Sequence, residues 1–158
     1  MTETLFIITS LFAFLLLLLI CYYFQTEAIN ALNKTAIGNN TAAMAAITTS
    51  RANFTAAADQ LPVALAAILI IASAALGFVL PTHFVFIVLG IILLFPVLFI
   101  SGLLGDVFSV FVNSTVLNTT TAFFPNTVTV GSNLPMIALI ADIVFLFAMF
   151  VKRVVSNV

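Results

Sequence analysis

Charged side chains are scarce in this sequence. Only 6% of its 158 residues are charged, whereas an ordinary soluble domain has about 25%. The four basic and five acidic side chains give a formal net charge of −1, so no basic surface is available for nucleic acid. Because 64% of the residues are hydrophobic, the composition excludes both a soluble globular domain and a disordered chain.

Residues that commonly carry chemistry are also scarce. The single cysteine, Cys21, excludes an intrachain disulfide and a cysteine-based zinc site, and its apolar neighbours predict a small buried hydrophobic residue. The single histidine, His83, cannot form a metal site alone; it is either a pH sensor or an ordinary solvated turn residue. No nucleotide-binding loop, zinc-protease motif or serine-hydrolase motif occurs. The sequence therefore predicts a protein that is not an enzyme and has no cofactor or metal site.

Long apolar segments dominate the rest of the sequence. Four of them can cross a hydrocarbon core of about 30 Å, namely residues 5–24, 61–80, 84–104 and 134–151. The first ends in the aromatic run Tyr22-Tyr23-Phe24 and lacks the basic flank of a cleavable signal, so we expect a retained spanning helix. The predicted fold class is an all-α, integral membrane protein with four transmembrane helices.

The connections between the spans predict two helical hairpins. Only Pro81-Thr82-His83 separates the second span from the third, so these two are joined by a tight turn. The other two connections, residues 25–60 and 105–133, are long. We therefore divide the chain into residues 1–80, a hairpin with a long external helical excursion, and residues 81–158, a hairpin with an external loop rich in Asn and Thr.

The first excursion has the pattern of two helices. Its apolar positions continue the period of the first span, which predicts a helix that projects past the membrane. The turn signal Gly38-Asn39-Asn40 follows, and Thr41 is expected to cap a second helix. We expect the charged residues of this excursion to form solvated or intersubunit ion pairs; they are Glu27, Lys34, Arg51 and Asp59.

The second excursion has a different pattern. It contains Pro125 and the alternation Thr127-Val128-Thr129-Val130, which predicts a partly extended segment. The two halves of the chain also share a Leu-Pro start to their second span, at Leu61-Pro62 and Leu134-Pro135. Either a tandem duplication or the independent use of Leu-Pro to begin a helix accounts for that similarity.

The basic residues indicate an orientation. Lys152 and Arg153 directly follow the last span, and loops rich in Lys and Arg stay on the cytoplasmic side. Both termini are then cytoplasmic and both long excursions are external. Five Asn-x-Ser/Thr sequons lie in those excursions and predict glycosylation, unless they reflect only the frequency of Asn and Thr in polar loops. They begin at Asn33, Asn39, Asn53, Asn113 and Asn118.

Asp142 is the only acidic residue in the middle of a span. A charged carboxylate at that depth is costly and often functional, which indicates a proton carrier. The alternative is a protonated acid that hydrogen-bonds Ser73 or a backbone carbonyl across a helix interface, and we favour it because no other span offers a basic partner. Small residues around these two positions predict close helix packing, and the full predicted packing set is Ala66, Ser73, Gly77, Ala138, Ala141, Asp142 and Ala148.

The last part of the chain has a distinctive order of segments. An Asn/Thr-rich excursion, residues 108–133, precedes an apolar helix that begins Leu134-Pro135-Met136 and ends in the basic tail Lys152-Arg153. This arrangement resembles the hydrophobic capsid proteins of archaeal spindle-shaped viruses. Residues 5–80 repeat the scheme without the basic tail, so this chain has two hairpins where that family has one. The resemblance implies a virion shell of hairpins packed against one another and against lipid.

Three functions follow from these patterns. The first is a structural, self-associating membrane protein, specifically a virion capsid or envelope component, whose partners are lipid and further copies of the chain. The second is a small non-catalytic accessory subunit of a membrane enzyme complex, of the respiratory oxidase or monooxygenase type. The third is a proton-linked transporter or channel that uses Asp142. Scarcity of intramembrane polar groups favours the first.

Overall fold

The chain is all-helical in the residues that the structure, a computed structural model, describes: 2–35, 38–80 and 84–156. Its helices are α1 (Thr2–Leu32), α2 (Thr41–Val79), α3 (Phe84–Val112), α4 (Asn118–Thr121), α5 (Pro125–Ser132) and α6 (Leu134–Ser156). Four of these, α1, α2, α3 and α6, are long and apolar enough to cross a membrane. The predicted fold class and the four spans are therefore confirmed. The predicted turn with His83 lies outside the described residues.

Helix α2 is longer than any bilayer requires. Its 39 residues run without a break from Thr41 to Val79 and extend about 58 Å at 1.5 Å per residue. The predicted second helix of the excursion and the predicted second span are thus one helix. Pro62 lies buried inside it. Leu61-Pro62 therefore does not begin a helix, whereas Leu134-Pro135 begins α6, so this shared dipeptide has different structural roles in the two halves.

The start of α2 differs by one residue from the prediction. Asn40, not Thr41, is the capping residue: its backbone is extended (φ −91°, ψ 100°), and its side-chain oxygen accepts a hydrogen bond from the Ala43 amide at 3.1 Å. An extended backbone at that position directs the side chain towards the first free amides of the helix. Thr41 is already the first helical residue.

The second excursion is helical, so the prediction of a partly extended segment was wrong. Helix α3 continues to Val112 and carries Asp106 as an exposed residue, and α4 and α5 follow. Within α5, Thr127 and Val130 are buried while Thr129 is exposed. That spacing of three residues is the period of a helix face. The alternating letters did not reveal it because the segment is too short to separate the two periods.

The most extensive contact between helices joins α2 to α6, and the next joins α3 to α6. Helix α1 packs on α3 and, over a smaller area, on α2. The core contains Leu15 and Leu19 from α1, Phe108 from α3, and Phe124 and Leu134 from the second excursion and α6, all fully buried. The closest packing thus joins the two halves of the chain to each other, and their separation into two hairpins stays a prediction.

Gly77 allows α2 and α6 to approach closely. A Cβ atom at this position would lie 2.6 Å from the carbonyl oxygen of Phe145 and 2.7 Å from the Cβ of Ala148. Both distances are shorter than van der Waals contact, so only glycine fits here without a shift of backbone. Ala148 is itself 3% exposed. In lipid, where tails are as apolar as leucine, such close packing is a main source of helix attraction.

We expect Gly77→Ala to lower the stability of the protein in detergent by about 1–3 kcal/mol, because the added methyl group overpacks the α2–α6 contact. The matched control is Gly102→Ala on α3, where a Cβ would meet no atom within 4 Å. In a detergent that keeps the chain monomeric, that control should be neutral or stabilising by up to about 1 kcal/mol, since alanine favours the helix. Thermal unfolding followed by circular dichroism measures both. Equal stability of the two variants would contradict the close approach at Gly77.

Candidate functional site

Asp59 of α2 binds the amino-terminal end of α5. Its Oδ1 accepts hydrogen bonds from the Thr127 amide at 2.8 Å and from the Thr127 hydroxyl at 2.9 Å. Its Oδ2 accepts one from the Asn126 amide at 3.2 Å. Asp59 is 6% exposed and Thr127 is fully buried. The prediction that Asp59 forms a solvated or intersubunit ion pair was therefore wrong for this residue.

The local sequence of α5 explains why a distant carboxylate is needed. A helix begins with amides that have no partner inside the helix. Pro125 is the first residue of α5 and has no amide hydrogen, and Phe124 before it offers no side-chain cap. Asp59 accepts hydrogen bonds from the next two amides, those of Asn126 and Thr127. The Val128 amide donates to the Phe124 carbonyl at 3.0 Å. A negative charge at this end is also favoured by the helix dipole.

Arg51 lies about two turns before Asp59 on α2 and binds α1. Its Nε donates to the Tyr22 hydroxyl at 2.9 Å, and its Nη2 donates to the Thr26 hydroxyl at 2.7 Å. Its guanidinium carbon lies 4.5 Å from the centroid of the Tyr22 ring and 5.7 Å from that of Phe123. These are cation–π distances. Within the chain the partners of Arg51 are hydroxyl groups and aromatic rings, and an intersubunit ion pair for it stays a prediction.

Aromatic rings connect the contacts of Arg51 to the buried core. Tyr22 is 3% exposed and lies edge-on to the fully buried Phe124, with ring centroids 4.9 Å apart. Its centroid is 5.7 Å from that of Phe123. We call the set Tyr22, Thr26, Arg51, Asp59, Phe123 and Thr127 the polar junction. It joins α1, α2 and the start of α5. Glu27 and Lys34, the other predicted ion-pair residues, are exposed.

Sequence reasoning missed four members of the polar junction: Tyr22, Thr26, Phe123 and Thr127. One signal was present. Pro125 favours the first position of a helix, and no Ser, Thr, Asp or Asn stands immediately before it, so a cap had to come from elsewhere in the chain. Asp59 stands two residues before the second apolar segment and is one of the acidic residues at the end of a span that could supply this cap.

A basic side chain caps the opposite end of α2. The Lys152 Nζ of α6 donates to the carbonyl oxygens of Leu80 at 3.0 Å and Val79 at 3.4 Å. These carbonyls belong to the last residue of α2 and to the residue that caps it, and they have no partner inside the helix. The positive charge is favourable at a carboxyl-terminal end. The sequence used Lys152 only as an indicator of orientation, and its capping role was not foreseen.

The predicted packing residues all lie in the interior. Ala138 and Ala141 are fully buried, and the other five are also buried. The full set is Ala66, Ser73, Gly77, Ala138, Ala141, Asp142 and Ala148. Asp142 is 1% exposed. Its assignment as a protonated structural acid or as a proton carrier stays a prediction.

Two further groups of predicted residues lie on the surface. Cys21 is exposed on α1, so the prediction of a buried residue was wrong; in a bilayer its small apolar side chain faces lipid at little cost. The five sequon asparagines are all exposed, namely Asn33, Asn39, Asn53, Asn113 and Asn118. Their modification stays a prediction.

No cluster of three or more His, Cys, Asp or Glu side chains suited to a metal ion occurs among residues 2–35, 38–80 and 84–156. The polar junction contains one cation, Arg51, together with hydroxyl groups and aromatic rings, and its carboxylate, Asp59, is already hydrogen-bonded to α5. The groups around Arg51 suit the binding of an anion rather than of a metal. Comparison with models of known protein families, with curated proteins and with solved structures finds no match.

We expect Asp59→Ala to destabilise the protein by about 2–4 kcal/mol, because two buried amides of α5 lose a charged partner. Asp59→Asn should cost less, since its single side-chain oxygen still accepts. The control is Asp106→Asn, which removes an exposed carboxylate from α3. Hydrogen exchange measured by mass spectrometry should show faster exchange at the Asn126 and Thr127 amides in the Asp59 variants only. Unchanged exchange there would contradict the cap.

Proposed function

We propose that this chain is a structural, self-associating integral membrane protein whose work is the packing of helices against lipid and against copies of itself. Large apolar side chains cover its outer surface. Helix α3 is the clearest example, because only 17% of its most apolar 18-residue stretch is buried inside the chain. Its side chains Val85, Phe95 and Val110 are each at least 70% exposed. An apolar surface of this extent marks contact with lipid or with protein.

Gly102 is the observation that supports self-association rather than lipid contact alone. It lies in the middle of α3, yet a Cβ there would meet no atom of the chain within 4 Å. Glycine inside a helix costs about 0.5–1 kcal/mol relative to alanine, and nothing inside the chain requires it here. Lipid tails do not require it either, whereas a second helix can approach closest where a side chain is missing. Gly102 therefore fits the contact of α3 with a neighbouring copy.

The finer proposal is a virion capsid or envelope component. It is supported by the order of segments that resembles the hydrophobic capsid proteins of spindle-shaped viruses: the polar excursion, α6 and the basic tail. The length of α2 adds support, because its 39 residues exceed what a bilayer requires and leave part of the helix for contacts beyond the hydrocarbon core. A shell of this kind needs many identical contacts and little chemistry, in keeping with the composition of the chain.

We expect the purified chain to form large regular oligomers in mild detergent and in lipid nanodiscs, and Gly102→Leu to convert them into smaller species by blocking close approach. Val110→Leu, a change at a more exposed position of the same helix, is the control and should leave assembly intact. Size-exclusion chromatography with light scattering measures the mass, and electron microscopy shows regularity. A monomeric wild-type chain under both conditions would contradict self-association.

The same preparation separates the two other functions. Copurification at fixed stoichiometry with haem- or metal-bearing subunits would replace the proposal by an accessory subunit of a membrane enzyme. A pH-dependent flux in liposomes that Asp142→Asn abolishes, with assembly intact, would replace it by a proton-linked transporter. Regular oligomers of the chain alone without such a flux support the structural function.

A further inference from the structure

A cavity of about 460 Å³ opens beside Arg51, between α1, α2 and the loop before α5. The rings of Tyr22 and Phe123 form one side, and Ala52 and Ala56 of α2 form the other. The two alanines have short side chains and leave the space open. Unlike the two apolar grooves elsewhere between the helices, this cavity contains a charged group.

Among the described residues, the hydrogen-bond and ring partners of the Arg51 guanidinium are neutral. A guanidinium has five N–H donors, and here one from Nε and one from Nη2 go to the Tyr22 and Thr26 hydroxyls. No carboxylate lies within ion-pair distance of Arg51 among the residues that the structure describes. The neighbouring carboxylate, Asp59, is occupied by the amides of α5. Arg51 is half-buried. Its remaining N–H donors would therefore attract an anion more strongly than they would in open water.

The position of Tyr22 in the sequence predicts that the cavity lies at the level of lipid headgroups. Tyr22 stands where the first apolar run ends, and Asp59 stands just before the second apolar run begins. Aromatic side chains concentrate at this boundary, and the headgroup layer adds about 5–7 Å on each side of the hydrocarbon core. The anion present at that depth in every phospholipid bilayer is the phosphate diester.

We propose that the cavity beside Arg51 binds the phosphate group of a membrane phospholipid. Arg51 donates to the phosphate oxygens, a pairing that guanidinium geometry favours. The hydroxyls of Thr48 and Thr55 line the cavity but donate to the backbone of α2, so Arg51 is the group that holds the anion. The glycerol and acyl chains then lie along the apolar surface of α1 and α2. This site does not depend on whether the chain self-associates.

The test measures the thermal unfolding of the detergent-solubilised protein with three probes: phosphatidylglycerol, diacylglycerol, which lacks the phosphate, and inorganic phosphate. We expect phosphatidylglycerol to raise the Tm and the other two to have little effect. Arg51→Gln should weaken phosphatidylglycerol binding by about tenfold or more. Lys34→Gln removes an exposed cation of the same excursion and is the control that should bind as the wild type does.

A second variant keeps the test valid if Arg51→Gln does not fold. Ala52→Phe fills the cavity and leaves the guanidinium and its hydrogen bonds in place, so it should abolish the lipid-dependent rise in Tm. Ala57→Phe, an exposed position of α2 that does not line the cavity, is its control. Lipid binding that survives Ala52→Phe, or an equal rise with diacylglycerol, overturns the proposal. If inorganic phosphate raises the Tm as much as phosphatidylglycerol does, the site binds free phosphate, and the proposal of a lipid ligand is wrong.

Discussion

The structure depends on how the backbone groups at helix ends are satisfied. Inside a bilayer no water is available for the amides and carbonyls that a helix leaves without partners, and each unsatisfied group costs several kcal/mol. This chain has very few charged side chains, and two of them bind helix ends on other elements. Asp59 binds the amides of α5, and Lys152 binds the carbonyls at the end of α2. Both charges have the sign that the helix dipole favours.

The contacts of Asp59 and Lys152 fix the position of α2 relative to α5 and α6. Helix α2 offers a carboxylate near its middle and accepts an ammonium group at its end, while its small residues bury a long face against α6. Arg51 adds a third polar contact, to α1. The apolar packing has little directional preference, because leucine contacts leucine as readily as it contacts lipid. The polar contacts are directional, and they determine which helices are neighbours and in which register.

Features that depend on neighbouring residues could be predicted from the sequence, whereas features that depend on residues far apart in the chain could not. The four spans follow from local composition, because an apolar run of the right length has few alternatives in a membrane. The small residues of α2 and α6 follow from helical spacing. The helicity of residues 125–132 could not be predicted in this way, since its cap lies 68 residues away at Asp59. The continuity of α2 through Pro62 was missed for a similar reason: helices packed alongside allow a proline that local rules place at a helix start.

The unbroken course of α2 has a mechanical consequence. This helix of 39 residues is hydrogen-bonded to α5 near its middle and to α6 at its carboxyl-terminal end. It cannot tilt or slide without breaking at least one of these contacts. A shift of the first turns of α2 therefore strains its contacts with α5 and α6 together, because no break in the helix lies between them.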